Sequence, residues 1–317
     1  MHVLEFEKHI EELESKLNEL RHLSGASDSN IVEEVGRLER KVSKLLTQTY
    51  SKLTPWQKVM VARHPNRPHF KHYVQSLITD FTPLAGDRVF GEDAAILGGL
   101  GRFQGQPVVI LGHEKGEDTD ARIHHNFGMA RPEGYRKAQR LMKLADQFSL
   151  PIIVLIDTPG AHPGIDAEAR GQSEAIAMSM QVMTQLRVPV LAVVTGEGMS
   201  GGAIAVGLAN EVYMLEHSIY SVISPEGCAS ILWRTRDKRE EAASTMRLTA
   251  QDLQQLDIID KVIREPLGGA HRHHAQAIAK VAQTLSEGLE RFGNMSEDKL
   301  RTHRRQKFLN MGKTGLA

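Results

Sequence analysis

An α/β fold is predicted for this 317-residue chain by three observations. Three segments, "QPVVILG" from Gln106, "LPIIVLID" from Leu150 and "VPVLAVVTG" from Val188, each set a proline before a continuous apolar run. Proline is tolerated at a strand's first residue, and unbroken apolar runs suit strands buried on both faces. The prolines, Pro107, Pro151 and Pro189, recur at spacings of 44 and 38 residues, with helical patterns between them. The last two strands run into glycine-bearing loops, "DTPGAHPG" and "TGEGMSGG", each before a helix. Strands alternating with crossover helices mean an α/β architecture.

The elements follow in order. Within residues 1–50, Ile10, Leu13, Leu17 and Leu20 recur at three- and four-residue steps, as do Ile31, Val35, Leu38, Val42 and Leu45. The polar stretch "SGASDSN" separates them, so two amphipathic helices in a hairpin are expected, bracing the main domain or a partner. The main domain is expected over 51–295, and 296–317 as a polar C-terminal tail. "PEGYRKAQRLMKLADQF" opens with Pro132 in the first turn of a helix, a favoured place. In "EARGQSEAIAMSMQVMTQL", Ile176, Met180, Met183 and Leu186 share one helical face. Short strands follow in "EVYMLE" and "YSVIS".

Composition excludes several classes. Lys+Arg and Asp+Glu balance at 39 each, which argues against a nucleic-acid binder held by a basic face; no DNA is expected. The single cysteine, Cys228, rules out internal disulfides and a multi-cysteine zinc site. The charged N-terminus has no apolar signal core, and no run of about 20 apolar residues is long enough to span a membrane, so a cytoplasmic protein is expected.

The turn "VVTGEGMSGGAIAVG", residues 193–207, admits three readings. Gly196 to Gly201 fit G-x-G-x-x-G, a dinucleotide phosphate loop, with Glu216 at the place of a ribose-binding acid. Gly198 to Gly202 fit G-x-S-x-G, a nucleophile elbow at Ser200, with His217 or the "HRHH" of 271–274 as partners. Against the elbow, Thr195 to Ser200 reads as a loop too long for it, the histidine cluster as a polar exit, and Ser200 as an N-cap of a helix over 201–210. The third reading uses the backbone. Gly201 and Gly202 present unobstructed N–H groups at a helix N-terminus, the design of an oxyanion hole, where the helix dipole adds to them. A glycine pair used only for tight packing is the plainer possibility.

Six stretches, "NFGMARPEGYRKA", "IDTPGAHPG", "ARGQSEAIA", "TGEGMSGGAIAVG", "SVISPEGCASILW" and "EPLGGAHR", together resemble the α subunit of the carboxyltransferase of bacterial-type acetyl-CoA carboxylase. The similarity runs from the N-terminal helices to near the C-terminus. "MRLTAQDLQQLDIIDKVI" also resembles a segment of enoyl-CoA hydratases. The resemblance implies a crotonase-like (ClpP/crotonase) spiral of repeated β-β-α units carrying the N-terminal hairpin. It implies transfer of a carboxyl group from N-carboxybiotin, on a biotin carboxyl carrier protein, to acetyl-CoA, giving malonyl-CoA for fatty acid synthesis. Carboxybiotin would bind this subunit and acetyl-CoA mainly the β subunit, in an α2β2 assembly completed by biotin carboxylase. The amides of Gly201 and Gly202 would hold the biotin ureido oxygen, with Gly160, Ala161, Gly198 and Ser200 as further substrate-binding positions. No tightly bound cofactor and no metal are expected on this chain; zinc belongs to the β subunit. Asp157 is expected to fix its loop, Glu226 to cap or to sit at an interface, and Arg234 and Arg236 to be solvated unless they meet CoA phosphates. The chain departs from the family pattern at Met199, where a glycine is common, and at His162, where an aromatic residue is usual.

Overall fold

The computed structural model describes residues 2–23 and 29–313. The two apolar stripes of the N-terminal segment form α1 (Lys8–Leu23) and α2 (Ser29–Tyr50). Ile10, Leu17, Leu38, Val42 and Leu46 are buried along them. Most of the polar stretch expected between the helices lies outside the described residues. The hairpin packs on the chain's own main body. The Tyr50 hydroxyl donates to Glu7 at 2.8 Å, and Arg272 donates to Glu7 and Glu14 at 3.0 and 2.8 Å.

Next come α3 (Pro55–Ala62), started by a Thr54 capping box, and α4 (Phe70–Leu77). They lead to β1 (Ile78–Pro83), β2 (Ile96–Phe103) and β3 (Gln106–His113), an antiparallel meander. The short α5 (Thr119–His124) and α6 (Pro132–Gln147) precede β4 (Ile152–Thr158). Then follow α7 (Ile165–Ala169), α8 (Gln172–Gln185), β5 (Val190–Met199), α9 (Ser200–Ile204), β6 (Glu211–Leu215) and β7 (Ile219–Ser221). The chain closes with α10 (Pro225–Trp233), α11 (Arg239–Thr245), α12 (Ala250–Gln255), β8 (Lys261–Ile263), α13 (His274–Gly293) and α14 (Glu297–Asn310).

One mixed sheet runs β1-β2-β3-β4-β5-β6-β8, with β7 paired to the far end of β5. From β3 onward the pairs are parallel. The three proline-led strands are adjacent at its centre, and every residue of β4 and β5 is buried. Two of the leading prolines contribute their carbonyls: Pro151 accepts from Val109 at 2.9 Å and Pro189 from Ile152 at 2.8 Å. Ile152, Val154, Ile156, Val190, Ala192 and Val194 face the core under α6 and α8. Their alternates, Ile153, Leu155, Leu191 and Val193, face α4 and α13. Two-sided cover explains the unbroken apolar runs.

Three expectations need correction. The polar tail of 296–317 carries helix α14 instead: Leu300 is buried and Arg304, fully buried, donates to the carbonyls of Met183, Leu186 and Val188 at 2.7–2.8 Å. The helix expected over 201–210 ends at Ile204. The loop expected from Thr195 to Ser200 is strand, because β7 pairs with Glu197, Gly198 and Met199 and extends β5 to the edge of the turn.

Candidate functional site

The glycine turn forms where β5 meets α9 without an intervening loop. Met199, the last strand residue, is 1% exposed and packs in a cluster with Val59, Ala62, Ile219 and Leu248. Met199 thus anchors the turn on its buried side. The reversal falls on Ser200, held at φ 53°. A left-handed non-glycine residue costs about 1–2 kcal/mol. Ser200 is not the N-cap: Met199 occupies that place, and no side chain caps α9. The amides of Ser200, Gly201 and Gly202 therefore start the helix without intrahelical acceptors. With only five residues in α9 its dipole is small, so any pull on an anion comes from these directed N–H groups.

The second turn is braced from several sides. Thr158 Oγ1 accepts the Gly160 amide at 3.0 Å and lies 2.7 Å from the Gly128 carbonyl. Gly160 takes φ 135°, which requires glycine. The His162 amide donates to Ala130 O at 3.0 Å, its Nδ1 lies 3.1 Å from Asn126 Nδ2, and its Nε2 lies 3.4 Å from Asp166. Histidine here stiffens the loop through its ring nitrogens, which a plain aromatic ring could not do.

The two turns touch through their backbones. A Cβ built on Gly202 would stand 2.7 Å from the Gly160 carbonyl carbon and 2.8 Å from the Ala161 nitrogen. Gly201 is less confined, with only the Ile176 side chain at 3.3 Å. Ser200 and Gly201 line a mainly apolar cavity of about 490 Å³ with Ile204, Tyr220, Met246, Leu253 and Phe308. Gly202, Gly160 and Ala161 stand at the contact of the turns, off this cavity wall. Gly198 is also off it, within β5 between Thr158 of β4 and Tyr220 of β7.

The side-chain readings of the turn fail on this geometry. No histidine, aspartate or glutamate lines the cavity beside Ser200, so an elbow has no base there. His217 is buried with its ring against Tyr50, 5.4 Å between centroids. The "HRHH" cluster is no polar exit: the buried His271 side chain stacks on His64 at 4.1 Å, and Arg272 holds the hairpin. For a phosphate loop the strand is too closed. A Cβ at Gly196 would stand 2.7 Å from Asp157 Cγ, and Glu216 is occupied in accepting the Glu265 amide at 3.0 Å.

Behind the turns lies a charged network that sequence motifs do not mark. Asp157, expected to fix its own loop, instead holds the neighbouring strand: its Oδ1 accepts the Glu197 amide at 2.9 Å. Lys115 Nζ bridges Asp157 at 2.7 Å and Glu197 at 2.9 Å. Arg63 joins Glu197 to Glu226 of α10, both at 2.6 Å. Burial opposes each charge, but the partners outweigh it: Lys115 is held above the usual lysine range and Glu197 below the usual carboxylate range. These residues come from five distant stretches of chain, and only the fold assembles them. Arg234 and Arg236 are exposed. Among the described residues no group of three or more His, Cys, Asp or Glu is placed to hold a metal ion, and no helix is long and apolar enough to cross a membrane.

Comparison with known proteins bears on this geometry. The family described as "Acetyl co-enzyme A carboxylase carboxyltransferase-like" matches residues 3–312. The chain is 60% identical over 317 residues, 100% of each sequence, to the acetyl-coenzyme A carboxylase carboxyl transferase subunit alpha of Paramagnetospirillum magneticum. To that of Rhodospirillum centenum it is 58% identical over 316 residues, again 100% of each. Among solved structures, the transcarboxylase 12S core matches with TM-score 0.59 and 19% identity over 72% of this chain and 42% of that one. The β subunit of Pseudomonas aeruginosa geranyl-CoA carboxylase matches with TM-score 0.56 and 17% identity over 76% and 45%. The fold is therefore the crotonase-like α/β fold of these carboxyltransferases.

Proposed function

The chain belongs to the family of acetyl-CoA carboxylase carboxyltransferase α subunits, and from that premise we propose that it forms the carboxybiotin side of a two-subunit active site. The donor is N-carboxybiotin on a carrier protein charged by biotin carboxylase, the acceptor is acetyl-CoA held mainly by the β subunit, and the product is malonyl-CoA. The setting is a cytoplasmic α2β2 assembly.

The observation that carries this reading is the backbone contact of the two turns, Gly202 against Gly160 and Ala161, with no side chain capping the start of α9. When CO2 leaves the biotin nitrogen, negative charge moves to the ureido oxygen. Fixed N–H donors already aimed there lower the barrier; loss of one such donor costs about 3–4 kcal/mol in comparable sites. The freed biotin nitrogen then takes a proton from the acetyl methyl group, and the resulting enolate attacks CO2. No acid, base or nucleophile from this chain is needed, which agrees with a cavity free of His, Asp and Glu. The apolar wall suits the same chemistry, because CO2 and enolate are lost where water enters.

The test is malonyl-CoA decarboxylation with free biotin, run on the chain alone and with a β-type subunit. Activity in the mixture alone is expected. Turnover by the isolated chain, or a Gly202→Val assembly that still transfers at the parent rate, would overturn the assignment.

A further inference from the structure

We propose that Lys115 is a positioning residue for this reaction: its ammonium clamps the ends of β4 and β5 so that the two glycine turns meet in one fixed geometry. This rests on the carboxyltransfer reading above.

The argument starts from an irregularity in the sheet. Between Ile156↔Val194 and Thr158↔Gly198, β4 advances by two residues and β5 by four. Strand β5 therefore carries two extra residues opposite Asp157. Such a bulge bends the strand and frees backbone groups from the ladder. Here it falls three residues before Gly160 and four before Gly201, so its shape sets how the turns face each other.

Left alone, a bulge inside a fully buried strand pair would leave polar groups unmatched and could relax. The chain fills it with charge. Asp157 Oδ1 takes the Glu197 amide, and the guanidinium of Arg67, 1% exposed, donates to the Thr195 carbonyl at 2.8 and 3.0 Å. Gly196 lacks the Cβ that would strike the Asp157 carboxylate. Two carboxylates, Asp157 and Glu197, then sit side by side and would repel. Lys115 stands between them, within 2.9 Å of both, and Arg63 takes the second oxygen of Glu197 at 2.6 Å. Lys115 does not line the cavity beside Gly201; it lines a separate cavity of about 420 Å³ with Asp157, Glu197 and Pro159, so in this proposal it acts on the glycine pair through the strand ends.

The test uses the assembled complex with a β-type subunit. It compares the parent with Lys115→Met and Lys115→Arg. Three readouts are taken: kcat with free biotin, KM for malonyl-CoA, and hydrogen exchange of amides 199–203 against those of α13. Lys115→Met is expected to lower kcat by at least about tenfold, the scale of a small misplacement of reacting groups. It should leave KM for malonyl-CoA within about twofold, and should speed exchange at 199–203 but not in α13. Lys115→Arg is expected to recover most of the loss. Parent-like kcat in Lys115→Met overturns the proposal. So does exchange that rises equally in α13, which would mark a general loss of stability. If Lys115→Met does not assemble, the near-isosteric Glu197→Gln replaces it, with the same selective loss expected and unchanged turnover decisive against the clamp. If the parent mixture does not transfer at all, the carboxyltransfer reading fails, while the exchange comparison still tests the clamp.

Discussion

At the residue scale, the site depends on which atoms of the turn react and which only shape it. Gly202 has backbone within 2.7 Å of its missing Cβ, whereas Gly201 faces one adaptable isoleucine. Gly202→Ala should therefore push Gly160-Ala161 away and lower turnover by about a hundredfold, while Gly201→Ala should cost far less. The pair is compared as kcat of the assembled enzyme, and equal effects would count against the two-turn site. Ser200 is the opposite case. Its hydroxyl caps nothing and no base lies beside it. Ser200→Ala should keep substantial activity, and Ser200→Gly should raise stability by about 1 kcal/mol by relieving its left-handed backbone. Urea midpoints and kcat check the two; inactive Ser200→Ala with an intact fold would restore the nucleophile. The position of the glycine pair at a strand-to-helix turn was legible in the sequence, because the doublet follows a continuous apolar run. The role of Ser200 was not, since it turns on where β5 ends. That point is fixed by pairing with β7, a distant stretch.

At the element scale, two helices are attached by buried charge that local sequence hides, because Arg and His on a helix or loop read as solvated by default. Arg304 ties α14 to three carbonyls and to Asn210 Oδ1, all within 2.8 Å. Arg304→Met should strip the arginine donor from the three carbonyls, while Asn210 Oδ1 keeps the Val190 amide, a destabilisation of about 3 kcal/mol read by urea unfolding. A change below about 1 kcal/mol would mean that water replaces the arginine at no cost. The hairpin seam is a titratable contact. Burial, then neighbouring His271, pushes His64 down from 6.5 to about 4. Burial would raise Glu7, but His271, Tyr50 and Arg272 outweigh it and hold it at about 2. Burial also lowers His271. Glu14, paired to Arg272, and His2, edge-on to His64, complete the seam. Both shifts are depressions, so the unfolded chain binds the extra protons and acid opposes docking. The His64 contribution is present above pH 6.5 and lost as pH falls towards 4; that of Glu7 is lost between 4.5 and about 2. Hydrogen exchange in α1 and α2 should thus rise between pH 6.5 and 4 while β4 and β5 stay protected. Simultaneous loss in the hairpin and the sheet would refute a separate seam. The apolar stripes made the hairpin itself legible, but its anchor lies 265 residues away, from Glu7 to Arg272.

At the scale of the whole molecule, the parallel centre of the sheet was legible and its edge was not. Strands β3, β4 and β5 announce themselves by continuous apolar runs, whereas β2, "ILGGLGRF", is interrupted by three glycines. Two of them, Gly99 and Gly101, face β1, where a Cβ on Gly99 would stand 2.9 Å from Pro83 Cα, while a Cβ on Gly98 would meet Leu141 of α6 at 2.6 Å. The sheet delivers both turns to one end, and the catalytic groups proposed there are main-chain amides. Under the proposed function, this subunit supplies main-chain amides and an apolar wall, while acetyl-CoA is held mainly by the β subunit. It follows that activity should be a property of the pair. With this chain fixed at micromolar concentration, increasing β-type subunit should raise malonyl-CoA turnover until one β is present per α, and the rate should fall on diluting the mixture below its dissociation constant. Gly202→Ala should bind the β subunit with unchanged stoichiometry, in light scattering, yet give a plateau about a hundredfold lower. A plateau reached well below one β per α, or a variant that regains full rate at excess β, would place the reacting geometry on the partner alone.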